Sequence, residues 1–336
     1  MKAFDNNKYL ELTKKEIKKR AKKFNKIYIE IGGHVIKDYH AKRVLIDYKE
    51  DNKIRILENI KKEIEIIYCI YSKHLNPIKK DYNSKKEYPK IILKELEYLK
   101  KRFKIAGVMI TRCEDEKYAL DFKKKLENKN YKVYISRKIK EYPNNIKIIL
   151  GKNGYLKNEY IKTSKKIIIV TSAVANSGKM STCLSQIYHD SKQKINSGFL
   201  KLETFPIWNL DINHPINIAY EAATADIGDK NQIDPYYLKK HKKKVVNYNR
   251  DIENFKILQK IISKITSKKN KMNKYFSPTE MGINEIKKAI INENKIKKAS
   301  INEIKNRQKK YLKEYKNDKK TIKRINEIIM KIKKLY

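Results

Sequence analysis

The chain of 336 residues has material for two or three domains and an ample buried core. Lys and Arg number 81 against 38 Asp and Glu, giving a formal net charge of +43, and the only cysteines are Cys69, Cys113 and Cys183, with no C-x-x-C among them. That composition speaks against a disulfide framework and a cysteine metal knuckle, and no apolar run approaches the roughly 18 residues of a membrane span, so a reduced cytoplasmic protein without membrane contact is expected.

The N-terminal stretch MKAFDNNKYLEL lacks the apolar core of a signal peptide. The positive excess accompanies heavy use of Ile, Asn and Tyr and is spread over nearly every predicted helix, with local clusters at 239–244 and at Lys268, Lys269 and Lys271. Such lysines read as solvated faces, and nucleic acid is expected to bind only nonspecifically at low salt.

In chain order, an amphipathic helix is predicted over 9–24 and a strand over 26–31, closed by Gly32 and Gly33. The segment after that turn carries His34, Asp38, His40 and Arg43 at the strand's C-terminal edge, the usual ligand side of an α/β sheet. Helices at 54–63, 91–103 and 116–128 alternate with strands at 64–70, 106–111 and 131–136, which argues for βαβ units and a largely parallel, Rossmann-like sheet. A short strand is predicted at 146–150.

The chain is organised around residues 165–190, KKIIIVTSAVANSGKMSTCLSQIYHD. Residues 167–170 form an unbroken β-branched run, as in a strand covered on both faces, and helical spacing begins at Gly178. Strand, small-residue loop and a lysine at a helix start are the parts of a phosphate site, because free N–H groups and the helix dipole point at the loop. Asn176, Ser177 and Gly178 are positioned to form a nest of amides, with Lys179 beside them. A P-loop reads G-x-x-x-x-G-K-[ST]; here Ala173 stands at its first glycine and Met180 at its magnesium-holding hydroxyl. The alternative is an ordinary strand-to-helix turn with a solvated lysine.

Beyond it, 199–205 reads as a strand ending near Glu203, a carboxylate placed to bind metal or act as a base. A proline-bounded loop with Trp208 and His214 leads to a helix at 217–226, in which Asn217, Glu221 and Thr224 share a face, and residues 210–225 contain no lysine. The segment Val245 to Asp251 ends a strand and opens a helix, carrying Asn249 and Arg250, the latter a candidate phosphate fork or a surface ion-pair partner. From Pro278 the strand signal ends. Ile301, Ile304, Tyr311, Tyr315, Ile322, Ile325, Ile329 and Ile332 keep a three-four spacing, broken near Asn317 and Asp318 into a helical hairpin that packs on its own domain or across a homo-oligomer interface. The expected division is an N-terminal Rossmann-like domain at 1–143, an α/β domain with the loop at 144–275 and a helical region at 276–336.

The segments GGHVIKDYHAKRVL, MITRCEDE, KNEYIKT, SGKMSTCLSQIYHD, LETFPIWNL, HPINIAYEAATADI, IDPYYL, VNYNRDIE and SPTEMGIN together closely resemble the bacterial family called domain of unknown function 1846, or uncharacterised protein family 0371. The resemblance implies a multidomain α/β structure with a glycine-rich loop suggestive of phosphate binding, and no established reaction. It carries over Asp38, His40, Arg43, Arg112, Ser177, Gly178, Lys179, Glu203, His214, Glu221, Asp226, Asn249 and Arg250. In place of the family's Gly-Pro-Gly-Ser-Gly-Lys-Met loop, this chain has Val174-Ala175-Asn176-Ser177-Gly178-Lys179-Met180, and it stops where family members continue into another α/β domain, as a shortened form would.

The expected function is binding of a nucleotide or phosphorylated metabolite, leading to phosphoryl transfer or nucleotide hydrolysis. Asn176, Ser177, Gly178, Lys179, Arg43 and Asn249 would bind ATP or another phosphorylated ligand, and Glu203 or Asp226 would hold Mg²⁺. Arg250 would offset developing charge, and Glu203, Glu221, His214 and His40 are the catalytic candidates. Alternatives are a non-catalytic ligand-binding or assembly module, and a nucleic-acid-binding protein.

Overall fold

The computed structural model describes residues 2–79, 86–315 and 318–333. In chain order its main elements are α1 (Asn6–Ala21), β1 (Lys26–Ile31), α2 (Tyr39–Val44), α3 (Asn52–Glu58), β2 (Ile64–Tyr71), α4 (Tyr88–Lys100), β3 (Ile105–Cys113), α5 (Lys117–Glu127), β4 (Val133–Arg137), α6 (Ile146–Leu150), β5 (Ile167–Thr171), α7 (Lys179–Lys192) and β6 (Ser197–Leu202). There follow α8 (Pro215–Ala223), β7 (Asn231–Ile233), α9 (Pro235–His241), β8 (Val246–Tyr248), α10 (Asn249–Ile265), β9 (Gly282–Ile283), α11 (Ile286–Ala289), α12 (Glu293–Glu314) and α13 (Lys319–Lys333). Short polar side chains start several helices by accepting the orphan amides of the first turn: Asp5 from Lys8, Asp38 from Ala41, and Asn292 from Lys295.

Seven strands form one parallel sheet in the order β4-β3-β2-β5-β1-β6-β9, while β7 and β8 make a separate antiparallel pair. The Ile-rich strands β2 and β5 are buried almost throughout, as helices on both faces require. This is the α/β, Rossmann-like architecture the alternation predicts. From β1 the chain runs outward through β2, β3 and β4, returns to place β5 between β2 and β1, and then moves to β6 on the other side. The reversal puts a topological switch point at the C-terminal end of β5, where α/β sheets bind ligands. Strands from both sides of position 143 therefore alternate within one sheet.

Two predicted elements differ. Residues 146–150 are helical, started by the Asn145 side chain accepting from the Ile148 amide, because five residues, IKIIL, are too few to show a period of their own. The expectation of no strand after Pro278 is corrected by β9, whose two residues extend the sheet beside β6. The C-terminal helices do form a hairpin, although Asn317 lies outside the described residues. Asp318 caps its second helix through the Thr321 amide and hydroxyl. Ile304, Tyr311, Ile325 and Ile332 are buried, so the stripe packs within the chain, with α12 against α8, α2 and α13. Among the described residues no helix is long and apolar enough to cross a membrane, and all three cysteines are free and buried.

Candidate functional site

The loop between β5 and α7 is shaped by two left-handed residues, Asn176 (φ 56°) and Gly178 (φ 80°). Val174, where the resembling family has glycine, does not take that conformation, so its β-branched side chain is accommodated. The loop's acceptors are tied inward: the Ser172 and Ser177 hydroxyls each donate to the Val174 carbonyl at 2.8 Å, Thr111 Oγ1 donates to the Ser177 carbonyl at 2.9 Å, and Arg112 donates to the Asn176 carbonyl. Residues 174–177 form a turn that brings the Ser177 amide to the Val174 carbonyl, and among the described residues no backbone carbonyl takes the amides of Asn176 or Gly178. With the first amides of α7 they form a donor-rich edge.

Cations surround that edge. Lys179 is 9% exposed, and among the described residues its Nζ is held loosely, with Ser172 Oγ at 3.5 Å and Glu30 Oε1 at 3.9 Å, beyond the range of a strong charge-assisted bond. Arg250 Nη1 donates to Asn176 Oδ1 at 3.2 Å while its guanidinium grips the buried Asp229 at 2.5 and 3.0 Å. Burial would weaken the Arg250 charge, but Asp229 raises its pKa above the usual value. Arg112 and Arg250 thus meet on the same loop residue from two sides.

The opposite wall is acidic and comes from β1 and β6. Glu30 and Lys201 are register partners, so their side chains share one sheet face, and Glu203 emerges two residues further on. Glu203 rests over Gly32: a Cβ there would lie 2.8 Å from its Cδ and closer still to Oε2. Tyr248 donates to Glu203 Oε1 at 3.4 Å and lies 3.0 Å from Lys201 Nζ, which also pairs with Asp251 at 2.6 Å. Behind Gly32, Lys53 Nζ donates to its carbonyl at 2.6 Å and pairs with Asp38 at 2.8 Å. Lys179, Glu30, Glu203, Tyr248, Arg250 and Asn176 therefore follow one another around the C-terminal edge of β5, β1 and β6.

Glu203 is surrounded by protein yet only half-buried, so it keeps some contact with solvent. Burial pushes its carboxyl up to about 7; Lys201 opposes this, and the Asp251 and Glu30 carboxylates reinforce it. Burial also works against the Lys201 charge, but Asp251, Glu30 and Glu203 hold its pKa above the ordinary range. Glu30 Oε2 is buried without a hydrogen-bond partner among the described residues.

The other predicted residues belong to different neighbourhoods. Glu221 is buried and accepts from the Asn231 amide (2.7 Å), Arg324 (2.9 Å) and Lys331 (2.8 Å), anchoring α13. Asp226 accepts from Tyr311 at 3.1 Å and Tyr315 at 3.3 Å. His214 caps α8 through Nδ1 on the Ile216 amide, with Nε2 3.4 Å from Glu293 of α12. His40 packs edge-on against Phe205 with Nδ1 3.8 Å from Glu303, and Arg43 pairs with the same Glu303 at 2.8 Å. Burial lowers the pKa of His40 and, more weakly, Glu303 raises it. Asn249 exchanges two hydrogen bonds with the Lys230 backbone. Within the lysine-free stretch at 210–225, His214 and Glu221 are thus buried against the C-terminal helices, while Asp211 and Asn213 stay exposed. Among the described residues no group of three or more His, Cys, Asp or Glu side chains is disposed to hold a metal.

The residues that sequence reasoning passed over are Glu30, Lys53, Lys201, Tyr248 and Asp229. A signal existed for two of them. Glu30 in KIYIEI and Lys201 in SGFLKL are charges inside strands otherwise built for a buried sheet, where charged groups rarely sit unless paired.

The fold and this edge define an α/β protein with a parallel sheet and a cation-ringed loop at its switch point. The chain belongs to the family described as domain of unknown function DUF1846, whose N-terminal model matches residues 2–335. A UPF0371 protein of Streptococcus pyogenes serotype M5 is 40% identical over 328 residues, covering 97% of this chain and 66% of the relative. One from Fusobacterium nucleatum is 43% identical over 286 residues, 84% of this chain and 56% of the relative. The chain spans about two thirds or less of the length of these relatives.

Proposed function

We propose that the loop at Asn176, Ser177, Gly178 and Lys179 binds the phosphate of a small phosphorylated ligand, a nucleotide or phosphometabolite, and that the site carries out phosphoryl transfer or nucleotide hydrolysis. The observation that supports it is the meeting of Arg112 and Arg250 on Asn176, with a loosely held, nearly buried Lys179 beside amides that lack a carbonyl partner among the described residues. Glu203, whose pKa lies near 7, is the group suited to carry a proton to or from the reacting oxygen. Mg²⁺ arriving with the phosphates would neutralise their charge, and Glu30, with its unpartnered Oε2, is the carboxylate placed to help hold it; Asp226, engaged by two tyrosines, is not.

The test is calorimetric titration of ATP, ADP and pyrophosphate with Mg²⁺ into the wild type, Lys179→Ala and Arg250→Ala. Micromolar to submillimolar binding in the wild type, weakened about tenfold or more in each variant, is expected for the loss of a charge-assisted contact. No binding at millimolar ligand refutes the reading. A binding module without turnover is the second reading, favoured by Met180 where a P-loop keeps its magnesium-holding hydroxyl; binding without product formation would establish it. The free, buried thiols support a reducing cytoplasm as the compartment.

A further inference from the structure

We propose that the wall made by Tyr71, His74 and Arg112 beside the loop is the subsite for the planar base of a nucleotide, with the Arg112 guanidinium as its stacking surface. This rests on the loop being the phosphate site, and it selects nucleoside polyphosphates over bare polyphosphates.

Tyr71 ends β2 and Arg112 stands at the end of the neighbouring β3, both on the side of the sheet where the loop after β5 emerges. The Arg112 guanidinium carbon lies 3.6 Å from the Tyr71 ring centroid, a face-on stack. Among the described residues Tyr71 is the ring on which Arg112 stacks, and the half-buried guanidinium keeps contact with solvent. The same guanidinium donates to the Asn176 carbonyl, which fixes the plane within one residue of the amides expected to hold phosphate.

The wall is built for rigidity. Arg112 holds a left-handed backbone at φ 53°, unusual for a side chain of its size, and the Ser72 hydroxyl pins it by donating to its carbonyl at 3.2 Å. His74 meets the Tyr71 ring edge-on at 5.1 Å and is backed by Tyr88 at 5.0 Å. Burial, helped by Lys79 and Arg112, lowers the His74 pKa to about 4, so at neutral pH it offers a neutral ring with one donor and one acceptor to a base edge. Arg250 differs in degree: its guanidinium is committed edge-on to Asp229 and lies 5.5 Å from the Tyr248 ring centroid, against 3.6 Å for Arg112 over Tyr71.

The experiment compares Mg·ATP with Mg·tripolyphosphate, which shares three linked phosphates and lacks the nucleoside, on the full chain by calorimetry. The wild type should bind ATP about tenfold or more tightly than tripolyphosphate, the scale of one base stacked on a side chain. Arg112→Lys removes the plane and also disturbs the bond to the Asn176 carbonyl, so it should weaken both ligands but ATP by the larger factor, bringing ATP down to the tripolyphosphate value. Tyr71→Leu, which leaves every hydrogen bond to the loop in place, should shrink the same ratio. Equal affinities in the wild type, or equal losses for both ligands in Arg112→Lys, overturn the proposal. If neither ligand binds, the phosphate reading of the loop fails and this subsite falls with it, an outcome distinct from equal binding.

Discussion

Replacing Gly178 by alanine probes the conformation on which the site depends. At φ 80° a side chain costs about 1–2 kcal/mol of backbone strain. The new Cβ would also stand 2.9 Å from Thr111 Oγ1, 3.0 Å from its Cβ and 3.1 Å from its Cγ2. Thr111 cannot swing aside freely, because it is β-branched and its hydroxyl donates to the Ser177 carbonyl. Crowding of this kind costs about 1–3 kcal/mol, so Gly178→Ala should destabilise the protein by about 2–5 kcal/mol in all. Urea unfolding followed by circular dichroism reads this as a fall in the midpoint on the order of 1 M. The two contributions separate in a second variant: Thr111→Ser removes the Cγ2 contact and keeps the hydroxyl, so it should recover part of the crowding and none of the strain. The double mutant is then more stable than the sum of the singles by about 0.5 kcal/mol or more. A Gly178→Ala protein within about 0.5 kcal/mol of wild type would show that the loop does not hold this left-handed turn against Thr111, and the amide edge inferred from it would go too.

Three further outcomes follow from the same contacts. Glu203 has a folded-state pKa of about 7, raised above its unfolded value, so the stability it contributes is full at low pH and is lost as pH rises towards and through 7, by at most about 3 kcal/mol. The stability difference between wild type and Glu203→Gln should therefore fall between pH 5 and pH 8; Glu95, also raised to about 7, is present in both proteins and cancels, and a flat difference would show that Glu203 is not held protonated. Glu221→Ala leaves Arg324 and Lys331 without their buried carboxylate, which should cost about 3–5 kcal/mol and speed tryptic cleavage within α13; unchanged proteolysis would mean that this cluster does not anchor the helix. Gly32→Ala places a Cβ where the Glu203 carboxylate lies, so it should shift the Glu203 titration, read by carboxyl-carbon NMR, while lowering stability by less than about 1.5 kcal/mol because only a side-chain end must move; an unshifted titration would place the carboxylate elsewhere.

Periodicity and spacing determined much of this protein on their own: the βα alternation, the buried run of β5, the glycine and lysine at the start of α7, the C-terminal hairpin, and the family through its motifs. These are local properties, written in residues within one or two turns of each other, where side-chain alternation and backbone preference act directly. Only the tertiary structure decided which of them meet. Inserting β5 between β2 and β1 brought Glu30 and Glu203 to the lysine loop, and the course of α10 brought Arg250 onto Asn176. Docking of α12 and α13 drew Glu221, Asp226, His214, His40 and Arg43 into packing contacts with those helices, although in sequence they look as ready for chemistry as Glu203 does. The reason is that a carboxylate or imidazole acquires its role from the charges and surfaces brought against it, and those partners lie tens to hundreds of residues away along the chain.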